Sequence, residues 1–418
     1  MGKTDRIHPK RTNVKTDTLS PESELPLGIK LVAWSRMVRW IGWGFGEALI
    51  PIFIFTFSHT FAEAGLFRSV IDVTGLLMLP IVGMWVDRTS ARRLILISLL
   101  IYPLVGVSYF LAGAFGLAIF IILARAINGI AWQMEDVGVG TYYRRLSPKG
   151  IISSAFGFID TWANLGWILA ALTGIVLLAI LPIHVLLLAI APFAILAFFV
   201  VRRAPRDHVA NEKNLSVASF GIIAPYKETL ILCSSWSRHL WFLCALSVFS
   251  GIIGVLMWFF IPIDAYAEGA QPGFVVLLSI IGTIPSLFGY AFGKIADKSN
   301  KYFLLSVGLI AVALVMTGLA LFPSFAFKMV ASFLLGVLLE LFSVVERGLI
   351  TTFGTPERYG EQQSAFDSLT TLAGLGSPLL VGVMIDELGF AHAAVVFAGI
   401  ATFFALNYFL LRKRVPKH

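Results

Sequence analysis

Four ionisable residues stand deep inside long apolar runs of this 418-residue chain: Glu47, Asp72, Arg125 and Asp160. An ionisable group costs free energy to keep in such surroundings, so its presence marks function by default. Three carboxyls and a guanidinium can pair with one another, bind a charged solute, or load and unload a proton. Each continues a helical face. Arg36, Trp43 and Glu47 fall at helical spacing, as do Arg125, Asn128, Trp132 and Asp136, and then Asp160, Asn164 and Trp167. Side chains three or four apart share one side of a helix, so each set is a polar and aromatic stripe that must turn away from lipid. One cavity in the first half of the chain would gather all four ionisable residues. The charges there are uneven: lending Arg68 to Asp72, four residues on, still leaves one acid over. A charge buried without a partner costs several kcal/mol, and a carboxyl avoids that cost by holding a proton. A proton is therefore the expected coupling ion, carried by Glu47 or Asp72. A sodium ion neutralises the surplus equally well and is the second reading.

Other chemistries lack their residues. Neither a His-Glu-x-x-His run nor a serine elbow occurs, and the seven histidines fall in tails or near the ends of apolar runs. Cys233 and Cys244 have no metal-ligand spacing and make no disulfide framework. An enzyme, a resident metal and a bound cofactor are not expected. The net charge of +8 would suit nucleic acid, but its distribution along the chain speaks for a membrane.

The runs that hold these residues account for most of the sequence. Hydrophobic residues make up 58% of the chain and charged ones 13%, with mean hydropathy +0.85, against about a quarter charged in a soluble domain. About 20 apolar residues in a helix cross a hydrocarbon core roughly 30 Å thick. Period-two alternation is absent, so the spans are helices and not barrel strands. They are expected near 31–58, 64–86, 94–114, 116–141, 152–180 and 183–201, then near 239–265, 270–293, 303–322, 324–350, 362–385 and 390–411.

The second set repeats the first. GMWVDRTSARR, Gly83 to Arg93, is echoed by GKIADKSNKY, Gly293 to Tyr302, with the glycines and the acids Asp87 and Asp297 each 210 residues apart. The same offset pairs Gly44 with Gly254, Ser154-Ala155-Phe156 with Ser364-Ala365-Phe366, and Asp136 with Glu346. The expected fold class is an all-α polytopic membrane protein, twelve transmembrane helices in two six-helix repeats. Residues 1–29 read as a disordered tail, 30–202 and 239–412 as the two bundles, 203–238 as a linker and 413–418 as a basic tail. The linker carries FGIIAPYKETLIL, an amphipathic run suited to the membrane surface.

Charge sets the orientation. Of the 32 Lys and Arg, all but Arg68, Arg125 and Lys328 lie in the tails, the linker or alternate connections. By the positive-inside rule those segments and both termini are cytoplasmic, in a plasma-membrane protein surrounded by lipid and expected as a monomer.

Twelve helices in two repeats, with a basic turn after the second, resemble the major facilitator superfamily. Its motif G-x-x-x-D-R-x-G-R-R is matched by Gly83, Asp87 and Arg88, with Arg92 and Arg93 nearby. Ser90 stands in the glycine place, and Ala91 in that of the first arginine of the pair. The second copy has Gly293, Asp297, Lys298 and Lys301, with Asn300 in the glycine place. The resemblance covers about residues 30–412 and implies a secondary transporter working by alternating access about a midplane cavity. Arg125-Ala126-Ile127-Asn128-Gly129 is similar to a helix-4 motif of proton-coupled drug antiporters, but the Gly-Pro of their helix 5 is missing, since Gly166 precedes Trp167.

A cytoplasmic gate is expected at the repeated turns. Asp87 and Asp297 would cap helix N-termini of the opposite half, where the dipole favours negative charge. Asp136 and Glu346 would pair with the basic side chains of the turns. The cavity itself should be one-sided, because Met257, Gly282, Leu335 and Thr370 replace the four ionisable residues in the second half. A wall that is polar on one side and apolar on the other suits a small amphipathic organic solute, exported with proton coupling in the first reading. The alternatives are a lipid or glycolipid flippase, a sodium-coupled porter, and a membrane sensor or assembly protein that does not transport.

Overall fold

The computed structural model describes residues 25–146, 152–207, 236–353 and 359–412. The tail before residue 25, the amphipathic run at 220–232 and the end after residue 412 lie outside the described residues. So do the side chains of Asp87, Arg88, Asp297 and Lys298 and the surroundings of Gly293.

Among the described residues, twelve helical segments follow one another. α1 runs Leu27–Gly44, passes through a 3-10 turn at Glu47–Leu49 and resumes as Ile50–Phe55. α2 is Phe61–Arg88, α3 Ala91–Phe115, α4 Ile119–Leu146 and α5 Ile152–Leu177, and α6 joins Ile183–Leu188 to Ile190–Arg202. α7 is Arg238–Val255, a π turn at Leu256–Phe260, and Ile261–Ala267. α8 is Pro272–Thr283, a 3-10 turn at Ile284–Phe288, and Gly289–Lys298. α9 is Lys301–Leu321, α10 Phe325–Phe353, α11 Tyr359–Gly374 with Ser377–Leu388, and α12 Phe390–Arg412. Among the described residues nine of these are long and apolar enough to cross a membrane alone, and Pro272–Phe288 is a shorter apolar segment. α2, with Arg68 and Asp72, and α4, with Arg125 and Glu135, complete the twelve.

Local chemistry explains the ends and breaks. Thr60 Oγ1 accepts from the Glu63 N–H at 3.1 Å, Asn300 Oδ1 accepts from the Phe303 N–H at 3.1 Å, and both start helices as N-caps. α3 stops at Gly116, whose φ of 69° is left-handed. The interruption of α1 falls at Gly46-Glu47, and Pro51 enters the resumed helix where its missing N–H is harmless. The π turn of α7 lies 210 residues later, so both repeats break their first helix at one place. Pro285 and Pro378 accompany the breaks in α8 and α11, whereas Pro103 sits inside an unbroken α3.

α1 crosses α5 almost backbone to backbone. A Cβ on Gly44 would stand 2.5 Å from the carbonyl oxygen of Trp167, so only glycine fits. That crossing brings Glu47, one turn further along α1, to the Trp167 side chain.

The two halves meet at the end opposite the Thr89-Ser90 turn and its arginines. There α2 lies against α11, Ile50–Phe55 against Ile261–Ala267, and α8 against both α5 and the Glu47–Leu49 turn. Ala48, Leu49, Ile52, Trp167 and Ala171 of the first half form one apolar cluster with Val275, Val276 and Ile280 of the second. Nearer the arginine-rich end, Asp160 on α5 and Asp367 on α11 are exposed. Among the described residues the two halves are thus joined at the far end, while these two acids toward the basic end stay exposed.

Candidate functional site

The polar residues of the first half form two layers inside the α1–α5 bundle. The layer nearer the far end holds Glu47, Arg68, Asp72, Tyr109, Arg125, Asn128 and Trp167. Glu47 Oε2 accepts from the Trp167 indole N–H at 2.7 Å, and among the described residues no cation lies within ion-pair distance of it. Asp72 is taken by Arg68, whose guanidinium donates to both carboxylate oxygens at 3.0 Å. Arg125 is buried, and among the described residues its side-chain hydrogen bond is a long 3.5 Å one from Nη1 to the Tyr109 hydroxyl. Its Nε and the Oδ1 of Asn128, three residues on and also buried, have no hydrogen-bond partner among the described residues.

The second layer lies toward the basic end and was missed by sequence reasoning. Arg39 on α1, 1% exposed, donates from Nε to Glu135 on α4 at 2.9 Å. The guanidinium sits among Trp40, Tyr102 and Trp132, with its carbon 4.8, 5.0 and 5.6 Å from their ring centres. Cation–π contacts of this kind help hold a charge out of water. Trp132, expected in the cavity wall, therefore packs against this pair and against Trp40. The signal was present: Arg36, Arg39 and Trp43 share a face, and so do Asn128, Trp132 and Glu135. In the sequence Arg39 reads as one of the basic residues that set the orientation, and Glu135 stands next to Asp136.

One turn further out, Asp136 meets Arg36 Nη2 at 3.4 Å. The expectation that Asp136 pairs with the basic turns is corrected here: its partner is on α1 of the same half. Asp160 adds its field to that of Asp136 and Glu135 at Arg36, and so belongs to this outer group and not to Glu47. Asn164 on α5 is half-buried.

The turn after α2 is tied by a residue from the start of the linker. Asp207, fully buried, accepts from the Ser90 hydroxyl, from the N–H groups of Ala91 at 2.9 Å and Arg92 at 3.2 Å, and from Arg145 Nη1 at 2.6 Å. Burial pushes its carboxyl up, but the bonds from Ser90, Arg145 and the two amides outweigh that and hold it below the usual carboxylate range. Arg92, expected in the gate, donates to the carbonyls of Val201 and Arg202 and closes the end of α6 in its own half. Gly83 has open space where a Cβ would stand, Lys301 is the first residue of α9, and Glu346 is buried on α10. In the second half Lys328 is buried in the first turn of α10, paired with Asp264 at 2.7 Å and with Glu268.

The sequence model of one protein family, described as Major Facilitator Superfamily, matches residues 32–374. A protein of Cupriavidus pinatubonensis named "Probable 4-methylmuconolactone transporter" is 23% identical over 377 residues, covering 86% of this chain and 83% of that one. Among solved structures, the nucleoside transporter NupG superposes with TM-score 0.73 at 17% identity, over 92% of this chain and 99% of its own. A D-xylose-proton symporter gives 0.70 at 14%, over 91% and 97%. The human organic anion transporter MFSD10 gives 0.66 at 16%, over 92% and 100%. These likenesses bear on fold.

Proposed function

Because the chain belongs to the Major Facilitator Superfamily, we propose that it moves a small organic anion together with a proton, by alternating access, with Arg125 and Asn128 as the docking pair and Glu47 as the proton carrier. One observation carries the reading. Arg36, Arg39, Arg68, Arg145 and Lys328 each have a carboxylate within ion-pair distance, whereas Arg125, buried in the same bundle, has none among the described residues. A guanidinium presents a planar fork that fits a carboxylate in two bonds, and a buried one left without an anion is open to one brought by the solute. Asn128 adds an amide on the same face of α4. The residues at the matching positions of the second half, Met257, Gly282 and Leu335, carry no charge, which favours a solute whose remaining part is small and weakly polar. The printed name of the curated relative, a probable 4-methylmuconolactone transporter, is in keeping with a small organic solute.

Glu47 and Arg125 cancel in charge, so an arriving carboxylate leaves one negative charge over, and a proton on Glu47 restores the balance. This favours symport in place of the antiport expected from the Arg125-Asn128-Gly129 likeness. By the positive-inside rule the basic end faces the cytoplasm and the closed far end faces away from it, in the plasma membrane. The test is uptake of a panel of radiolabelled organic acids into proteoliposomes under an imposed pH gradient, repeated with a sodium gradient. Accumulation of a carboxylate driven by pH alone and lost in Arg125→Gln is the expected result. Accumulation driven by sodium alone, or equal transport of a neutral analogue, overturns it, and the sign of the flux gives the direction.

A further inference from the structure

The far end is closed by two seams of different make. Between α2 and α11, backbone meets backbone: a Cβ on Gly65 would collide with the Pro378 carbonyl, and one on Gly382 with that of Phe61. Asp386, near the end of α11, then accepts from the first two amides of α2, Phe61 N–H at 2.9 Å and Ala62 N–H at 2.8 Å. The next amide, of Glu63, goes to Thr60 Oγ1, so the first turn of α2 is fully capped only while α11 is in place. Between α5 and α8 the contact is side chain on side chain, Trp167 and Ala171 against Val275, Val276 and Ile280.

The repeat shows that the first seam is particular. A shift of 210 residues carries Asp386 to Val176, Gly65 to Val275, Gly382 to Leu172, and Phe61-Ala62 to Gln271-Pro272. Pro272 opens α8 with no N–H to cap. Only one of the two equivalent seams therefore joins a carboxylate of one half to a helix N-terminus of the other, where the dipole favours negative charge.

We propose that Asp386 is a positioning residue of the transport cycle, a latch that holds the N-terminus of α2 while the far end is closed and releases it when that end opens. The carboxylate and the two amides border water, so each is rehydrated on release and the latch is reversible. One N-cap interaction corresponds to a shift of about fivefold in the ratio of far-end-closed to far-end-open molecules.

The test reads a position that a merely local fraying of α2 would not move. Val276, 2% exposed in the other seam, is replaced by cysteine in the full chain. Its labelling by a membrane-impermeant maleimide applied from the far side is measured against the same chain without V276C. Asp386→Ala should raise the labelling rate about fivefold, Asp386→Asn, which keeps one acceptor oxygen, should raise it less, and Asp386→Glu should restore it. Gly382→Ala keeps the carboxylate but wedges the seam, and should raise labelling too; it serves if the Asp386 variants do not fold. Unchanged labelling in both Asp386→Ala and Gly382→Ala overturns the latch. So does a rise that appears only together with loss of the folded protein.

Discussion

Replacing Arg125 by glutamine separates a docking guanidinium from a structural one. Inside the protein the side chain would give up little, because among the described residues its hydrogen bond is the 3.5 Å contact to Tyr109 and no carboxylate lies within ion-pair distance. The cost should therefore fall on the solute. A hydrogen bond to a charged group contributes about 1.5 to 3 kcal/mol, and a tenfold change in affinity is about 1.4 kcal/mol. The dissociation constant for the transported acid should then rise about 10- to 150-fold, with little change in the melting temperature of the purified protein. Arg125→Lys keeps the charge and loses the fork, and should fall between. Binding is read by titration in detergent and melting by tryptophan fluorescence. If Arg125→Gln lowers the melting temperature strongly and leaves the dissociation constant unchanged, the residue is a structural clamp and the docking assignment fails.

Three further outcomes follow from particular contacts. Glu47→Gln keeps an oxygen for the Trp167 indole but fixes a neutral side chain, so solute exchange at equal concentrations should persist while pH-driven accumulation stops; accumulation at the wild-type level would refute the carrier role. Glu135→Gln should destabilise the protein by about 3 to 5 kcal/mol, because it strands the Arg39 guanidinium, and the double change Arg39→Met with Glu135→Leu should recover much of that in a melting assay. Asp207→Ala should cost about 1 kcal/mol at neutral pH. Since the folded carboxyl is held below its unfolded value, the wild-type contribution is present above about pH 4 and fades as the pH falls through the folded value. The difference in melting temperature between wild type and variant should therefore shrink on acidification, and a constant difference would contradict the capping role.

The architecture was legible because it rests on two signals that read along the chain, apolar length and the 210-residue echo. The broken helices were partly legible too, since Pro262, Pro285 and Pro378 each accompany an interruption in the second half. The interruption of α1 at Glu47 was not, although Gly44 and Gly46 stand beside it, because only the crossing partner, the carbonyl of Trp167, shows that glycine is required. At the site, the sequence supplied the ionisable residues but not their pairing. Arg68 and Asp72 at i,i+4 could be matched in advance, being on one helix. Arg39 with Glu135, Arg36 with Asp136, and Asp386 with the amides of α2 each join helices far apart in the chain, and helical periodicity carries no information about which helix lies opposite. Asp207 was hidden for another reason: it caps backbone N–H groups, which any sequence possesses.

These pairings also bear on how coupling could work. Arg36–Asp136 and Arg39–Glu135 join α1 to α4, and Arg145–Asp207 joins α4 to the end of α6, all within the first half. On the proposed function, a half clasped in this way would move as a body, and the distances inside its site would change little between the two faces of the membrane. Geometry within the site then has little power to sense the solute, and charge takes that role. With Arg68–Asp72 and Arg39–Glu135 each neutral, the buried balance is Arg125 against Glu47, and it is zero when the site is empty. A bound monoanion alone makes it negative, and a proton alone makes it positive. Both unbalanced states would have to bury a net charge when the open end closes, at a cost of several kcal/mol. On the proposed function the empty site and the site holding both are neutral, and these two would be free to cross. One proton per carboxylate follows from that count, and a solute with two carboxylates should require a second protonation or fail to be carried.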